Sequence, residues 1–145
     1  MPLIREKIEN NGKVSFTPKG ISMNPLLRSN RDTVIIKSVS GRLKKYDIAL
    51  YIRDNKKYVL HRVVKVNKKS YTMRGDNQLF NEYGITDEQI IGVVAEFIRK
   101  GKRINVNKPG YKLYCVLWVN SCAIRRIFRM GRRLLGKIKR KIVRK

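Results

Sequence analysis

The hydrophobic pattern of this chain changes period once, at Lys108-Pro109-Gly110, and that switch limits what it can fold into. Before it, runs rich in β-branched residues recur at Val14 to Thr17, Thr33 to Val39, Asp47 to Arg53, Tyr58 to Val66, Tyr71 to Arg74 and Ile90 to Ile98. Such runs, bounded by turn residues, predict strands. Asp54-Asn55-Lys56-Lys57 separates two of them and suits a hairpin that sets Ile48–Ile52 against Tyr58–Val66. After the switch, Leu117, Ile124, Ile127, Phe128, Leu134, Leu135, Ile138 and Ile142 follow helical intervals. Arg125, Arg126, Arg129, Arg132, Arg133, Lys137, Arg140 and Lys141 fill much of the rest. The expectation is a mostly β domain over residues 1–108, followed by a basic amphipathic helical tail over residues 109–145. Gly131 and Gly136 each weaken a helix by about 1 kcal/mol relative to Ala, so a bend or break is expected near them.

A chain of 145 residues supplies one compact core. Thirty-five Lys+Arg against ten Asp+Glu give a formal charge of +25, and its placement is uneven. Residues 1–96 hold 18 basic and all 10 acidic side chains, whereas residues 97–145 hold 17 basic and no acidic ones. Such a field attracts anionic partners. Tyr111, Tyr114, Trp118, Phe128 and a Leu/Ile stripe opposite Arg/Lys suit the interface of an anionic leaflet, where each basic residue contributes about 1 kcal/mol. Nucleic acid is the lesser alternative, and a merely solvated charged face the plain one.

Cys115 and Cys122, the two cysteines, make neither a disulfide framework nor a zinc site, and packing is their expected role. The stretch Met1 to Gly12 is interrupted by Arg5, Glu6, Lys7 and Glu9 and does not read as a secretory leader. Leu113 to Ile124, the longest uncharged stretch, would reach only about 18 Å as a helix against a hydrocarbon core of about 30 Å, so no spanning helix is expected.

Three short segments stand out together: Gly20-Ile21-Ser22-Met23-Asn24-Pro25-Leu26, Leu60-His61-Arg62-Val63-Val64 and Arg74-Gly75-Asp76-Asn77-Gln78. In order and spacing they resemble the boxes of the type I signal peptidase family, within the signal peptidase/LexA-like superfamily of serine peptidases. The resemblance covers about residues 14–97. With His where most bacterial members have Lys, the closer likeness is to the archaeal and endoplasmic-reticulum branch. The resemblance implies a signal peptidase/LexA-like β fold, Ser22 as nucleophile, His61 as general base and Asp76 as the acidic member. It also points to Glu82, six positions beyond the Gly-Asp-Asn box, as a second acidic residue, with Glu in place of Asp. Gly20 stands where many signal peptidases place a serine. The membrane anchor that usually precedes the nucleophile box has no counterpart in the 21 residues before Ser22.

The chemistry of these residue types agrees with that assignment. A serine hydroxyl is a weak nucleophile and needs a neutral base within about 3 Å. His61 is the one imidazole in the chain. A carboxylate on its far nitrogen would fix the tautomer and stabilise the imidazolium. The Ser22 backbone N–H at a tight turn is a natural oxyanion donor, Pro25 fixes local φ, and the strand Ser15 to Pro18 offers an edge for an extended substrate. Taken alone, Gly-x-Ser-Met is ordinary turn sequence, Gly-Asp-Asn is good turn chemistry and Met23 is packing. The expected activity is serine endopeptidase cleavage of a leader or signal segment from a precursor peptide or preprotein, with no metal or organic cofactor. The C-terminal helix would hold the enzyme peripherally on an anionic membrane surface, on the cytoplasmic side. A LexA-like self-cleaving regulator and an inactive membrane- or nucleic-acid-binding protein are the alternatives.

Overall fold

The computed structural model describes residues 3–121, 124–127, 130, 131, 133 and 135. Cys122, Phe128, Arg129, Arg132, Leu134, Gly136, Lys137, Ile138, Arg140, Lys141 and Ile142 lie outside the described residues. The protein is mostly β: one antiparallel eight-stranded sheet with a few short helices.

A helix, α1 (Leu3–Asn11), precedes β1 (Lys13–Phe16), β2 (Thr33–Lys37), β3 (Ile48–Ile52), β4 (Tyr58–Val66), β5 (Tyr71–Arg74), β6 (Glu82–Ile85), β7 (Ile90–Arg99) and β8 (Lys102–Asn105). A second helix, α2 (Pro109–Asn120), follows. The spatial order is β1-β2-β7-β3-β4-β5-β6, with β8 on the far half of β7. The β3–β4 hairpin forms in the expected register, Ile48 opposite Arg62 and Ile52 opposite Tyr58. Its turn closes with the Lys56 N–H on the Arg53 carbonyl, and Lys56 adopts φ 62°.

Both faces of the central strands are apolar, as a sheet covered on two sides requires. On β3, Ile48 and Leu50 join a core with Val34, Ile36, Leu60 and Phe97, while Ala49 and Tyr51 join a second with Val63, Tyr71 and Met73. The loop after β1 caps the first core with Met23, Leu26 and Leu27, so Met23 packs as expected. Ile8 of α1 reaches the same cluster, and Arg5 donates to the Ile90 carbonyl at 2.9 Å. Three elements, α1, β6 and β8, were not expected from the sequence.

The expected helix starts at the period switch, with Pro109 in its first turn, but is interrupted at Ser121. The expected bend lay farther on; Gly131 is helical and Gly136 is outside the described residues. The aromatic side is also not where it was expected. Tyr111, Tyr114 and Trp118 pack inward. Leu113, Val116, Leu117, Ile124, Ile127, Met130 and Leu135 are exposed, while Arg125 is buried. The described part of the apolar stripe therefore faces solvent, and Tyr111, Tyr114 and Trp118, expected at a lipid interface, serve the protein's own interior. No helix among the described residues is long and apolar enough to cross a membrane.

Candidate active site

Ser22 and His61 line one cleft of about 240 Å³, together with Pro18, Gly20, Tyr58 and Leu60. The sheet creates this cleft by stopping short. β5 pairs with Arg62 to Val66 of β4, leaving Tyr58 to His61 paired only with β3. The loop after β1 faces that open edge. Gly20 turns there with φ 99°, in the left-handed region that favours glycine, and its N–H donates to Ser29 Oγ at 3.0 Å. Ser29 also lines the cleft. The Asn24 N–H closes the nucleophile turn on the Ile21 carbonyl at 3.1 Å. Among the described residues the Ser22 N–H has no hydrogen-bond partner, and no hydrogen bond joins Ser22 Oγ to His61.

The Gly75-Asp76-Asn77 segment presses against Ser22 from behind. The Asn77 N–H donates to the Ser22 carbonyl at 2.7 Å. A Cβ on Gly75 would lie 2.7 Å from that carbonyl oxygen and 3.0 Å from Ser22 Cβ, so only glycine lets the two backbones approach this closely.

His61 is buried, and its Nδ1 lies 3.0 Å from Glu82 Oε1 and 3.1 Å from the Tyr51 hydroxyl. Glu82 is held in turn by Arg53, whose Nε donates to Oε2 at 2.7 Å and whose Nη2 donates to Oε1. Nε2 of His61 has no partner among the described residues. Burial pushes the imidazole below its ordinary value of 6.5; the Glu82 carboxylate opposes that and Arg53 adds to it. The ring is thus mostly neutral at pH 7, as a general base must be. Burial raises the Glu82 carboxyl, but Arg53, Tyr51 and His61 together hold it below the usual carboxylate range.

Asp76 does not take the expected place beside His61. Both its oxygens receive Arg62, Nε to Oδ1 and Nη2 to Oδ2, each at 2.7 Å. Neighbouring residues on a strand point to opposite faces, so His61 and Arg62 look to opposite sides of β4. Ala49 stands opposite His61 and Tyr51 opposite Val59, which puts Tyr51 and Arg53 on the histidine's side with Glu82. Asp76 belongs to the other side. There α2 covers the ion pair: Arg62 Nη1 donates to the Tyr111 hydroxyl at 2.9 Å and to Cys115 Sγ at 3.1 Å, and Cys115 is buried.

Sequence reasoning missed Tyr51, Arg53 and Ser29. The hairpin register would have placed the first two beside His61; nothing in the sequence marks Ser29. No protein-family model, curated protein or solved structure matches this chain.

Proposed function

We propose that this chain is a serine endopeptidase of the signal peptidase type, with a signal peptidase/LexA-like fold, that removes a leader or signal segment from a precursor peptide. The observation that carries the reading is that Ser22 and His61 line one cleft while His61 Nδ1 lies against the Glu82 carboxylate. Ser22 Oγ attacks the scissile carbonyl and its proton passes to His61 Nε2. The tetrahedral intermediate collapses as the imidazolium gives that proton to the departing amine, leaving an acyl ester on Ser22. Water, deprotonated by His61, then releases the acid. Glu82 is the carboxylate that orients the ring. The Ser22 N–H is one oxyanion donor. Ser29 is the second: its Oγ accepts from Gly20, so its own proton remains to donate into the cleft. The substrate lies extended along the unpaired Tyr58–Leu60 edge, facing Pro18 to Gly20, as an added strand.

The helical tail is the membrane-facing part of this reading. Its exposed Leu113, Val116, Leu117, Ile124 and Ile127, in a chain of charge +25, suit the headgroup region of an anionic leaflet.

Incubating wild type, Ser22→Ala, His61→Ala and Ser29→Ala proteins with a peptide library tests the chemistry. Cleavage should vanish in the first two variants and fall by about 10²-fold or more in the third. Undiminished cleavage by Ser22→Ala or His61→Ala would overturn the reading. Appearance of two fragments of the enzyme itself would favour self-cleavage instead.

A further inference from the structure

We propose that α2 is a positioning element of the catalytic apparatus, with Trp118 and Tyr114 acting through Asp76 and Asn77 to fix the backbone of Ser22. This rests on the reading of Ser22 as nucleophile. The contacts form an unbroken series. The Trp118 indole N–H donates to the Asp76 backbone carbonyl at 2.8 Å, and the Tyr114 hydroxyl donates to the Asp76 carboxylate at 3.2 Å. The next residue, Asn77, holds the Ser22 carbonyl, and the preceding one, Gly75, abuts the same atom. Asp76 is thus gripped by the helix while both its neighbours bear on the nucleophile's peptide unit.

The body alone does not complete this grip. It supplies Arg62 to the Asp76 carboxylate, but among the described residues the Asp76 carbonyl has Trp118 as its partner, and both residues are buried. A buried carbonyl without a donor costs about 1–3 kcal/mol, enough to make another arrangement of residues 75–77 competitive. The helix side is also closely packed: Tyr111, Tyr114 and Trp118 stack in series, with centroids 6.4 and 5.9 Å apart, and the Arg62 guanidinium lies over the Tyr111 and Tyr114 rings. A stacked, hydrogen-bonded face of this kind holds a neighbouring loop in one position, and catalysis depends steeply on the position of the attacking atom.

Trp118→Phe keeps an aromatic ring, though a smaller one, and removes the indole N–H. In the full chain, kcat on a cleaved peptide should fall about tenfold with KM within about twofold. The Asn77 amide should exchange its hydrogen faster while amides of β3 and β7 keep their protection. Tyr114→Phe, which keeps the stack, should move both readouts the same way by less. A lowered Tm with kcat and the Asn77 amide both unchanged would reduce α2 to a structural cover and overturn the positioning role. If the wild-type chain has no Ser22-dependent cleavage, the nucleophile reading falls. Exchange at Asn77 then still decides whether α2 holds this segment, and an amide unmoved by Trp118→Phe ends that claim as well.

Discussion

His61 Nδ1 stands 3.0 Å from Glu82 Oε1, while the next residue along the same strand, Arg62, takes Asp76 on the opposite side. Two carboxylates near one histidine are thereby given different work.

That division predicts different consequences for two conservative changes. Glu82→Gln should lower kcat by about 10³- to 10⁴-fold with a small change in melting temperature, because the ring loses the charge that fixes its tautomer. Asp76→Asn should chiefly destabilise, by about 3–5 kcal/mol, because it leaves the fully buried Arg62 without its counter-charge. Denaturant melts beside steady-state rates separate the two; equal loss of stability in both variants would contradict the division.

The pH profile follows from the imidazole. Because burial depresses its pKa, the active neutral ring persists below the ordinary 6.5, and the acid limb of kcat/KM should fall below that value. Stability should weaken in the same direction. The unfolded chain binds a proton at this histidine more readily than the folded one, so stability is lost as pH falls below 6.5 toward the folded value. The lowered Glu82 adds to the effect: its contribution is present above 4.5 and lost as pH falls through the folded value. A midpoint of activity above pH 7 would contradict the buried, neutral base.

Gly75→Ala tests the close approach behind the nucleophile. Its Cβ would sit 2.7 Å from the Ser22 carbonyl oxygen, so one backbone must move. A displacement near 1 Å at the attacking residue lowers turnover by about 10²-fold. Labelling of Ser22 by a fluorophosphonate should slow in parallel, and unchanged labelling would mean that the contact does not position the serine.

The outward apolar face predicts surface binding. Vesicles containing anionic lipid should bind the protein, and raising the salt should weaken that binding as the Debye length shrinks from about 10 Å at 0.1 M to about 3 Å at 1 M. Replacing Leu117 and Ile127 together with Gln should weaken partitioning at least about tenfold, since each side chain contributes about 1.5–3 kcal/mol when fully buried. Equal binding to neutral vesicles would dissociate the charge from the attachment.

The strands of the sheet were legible because β-branched runs and their turn residues are local signals. β8, Lys102 to Asn105, is polar and short, and β6 carries Gly84 at φ 76° after an exposed Tyr83, so neither alternates. α1 sets Ile4 and Ile8, one turn apart, against the core, and a single such pair in nine residues is a short signal to read. At the site, the boxes around Ser22, His61 and Gly75-Asp76-Asn77 are contiguous and stood out. The choice between Asp76 and Glu82 depends on which face of β4 each meets, a relation between strands. The aromatic side of the tail was misplaced for a related reason: aromatic and aliphatic positions occupy different sides of α2, and periodicity does not say which of two apolar sides meets the body.

Cutting the polypeptide where its period switches, at Lys108 to Gly110, would remove more than a detachable extension. It would leave Arg62 Nη1 with the Tyr46 carbonyl but without Tyr111 and Cys115, strip the Asp76 carbonyl of Trp118, and open that side of the interior to water. The smallest version fit for crystallisation or assay therefore runs at least to Asn120, whatever becomes of the residues that follow.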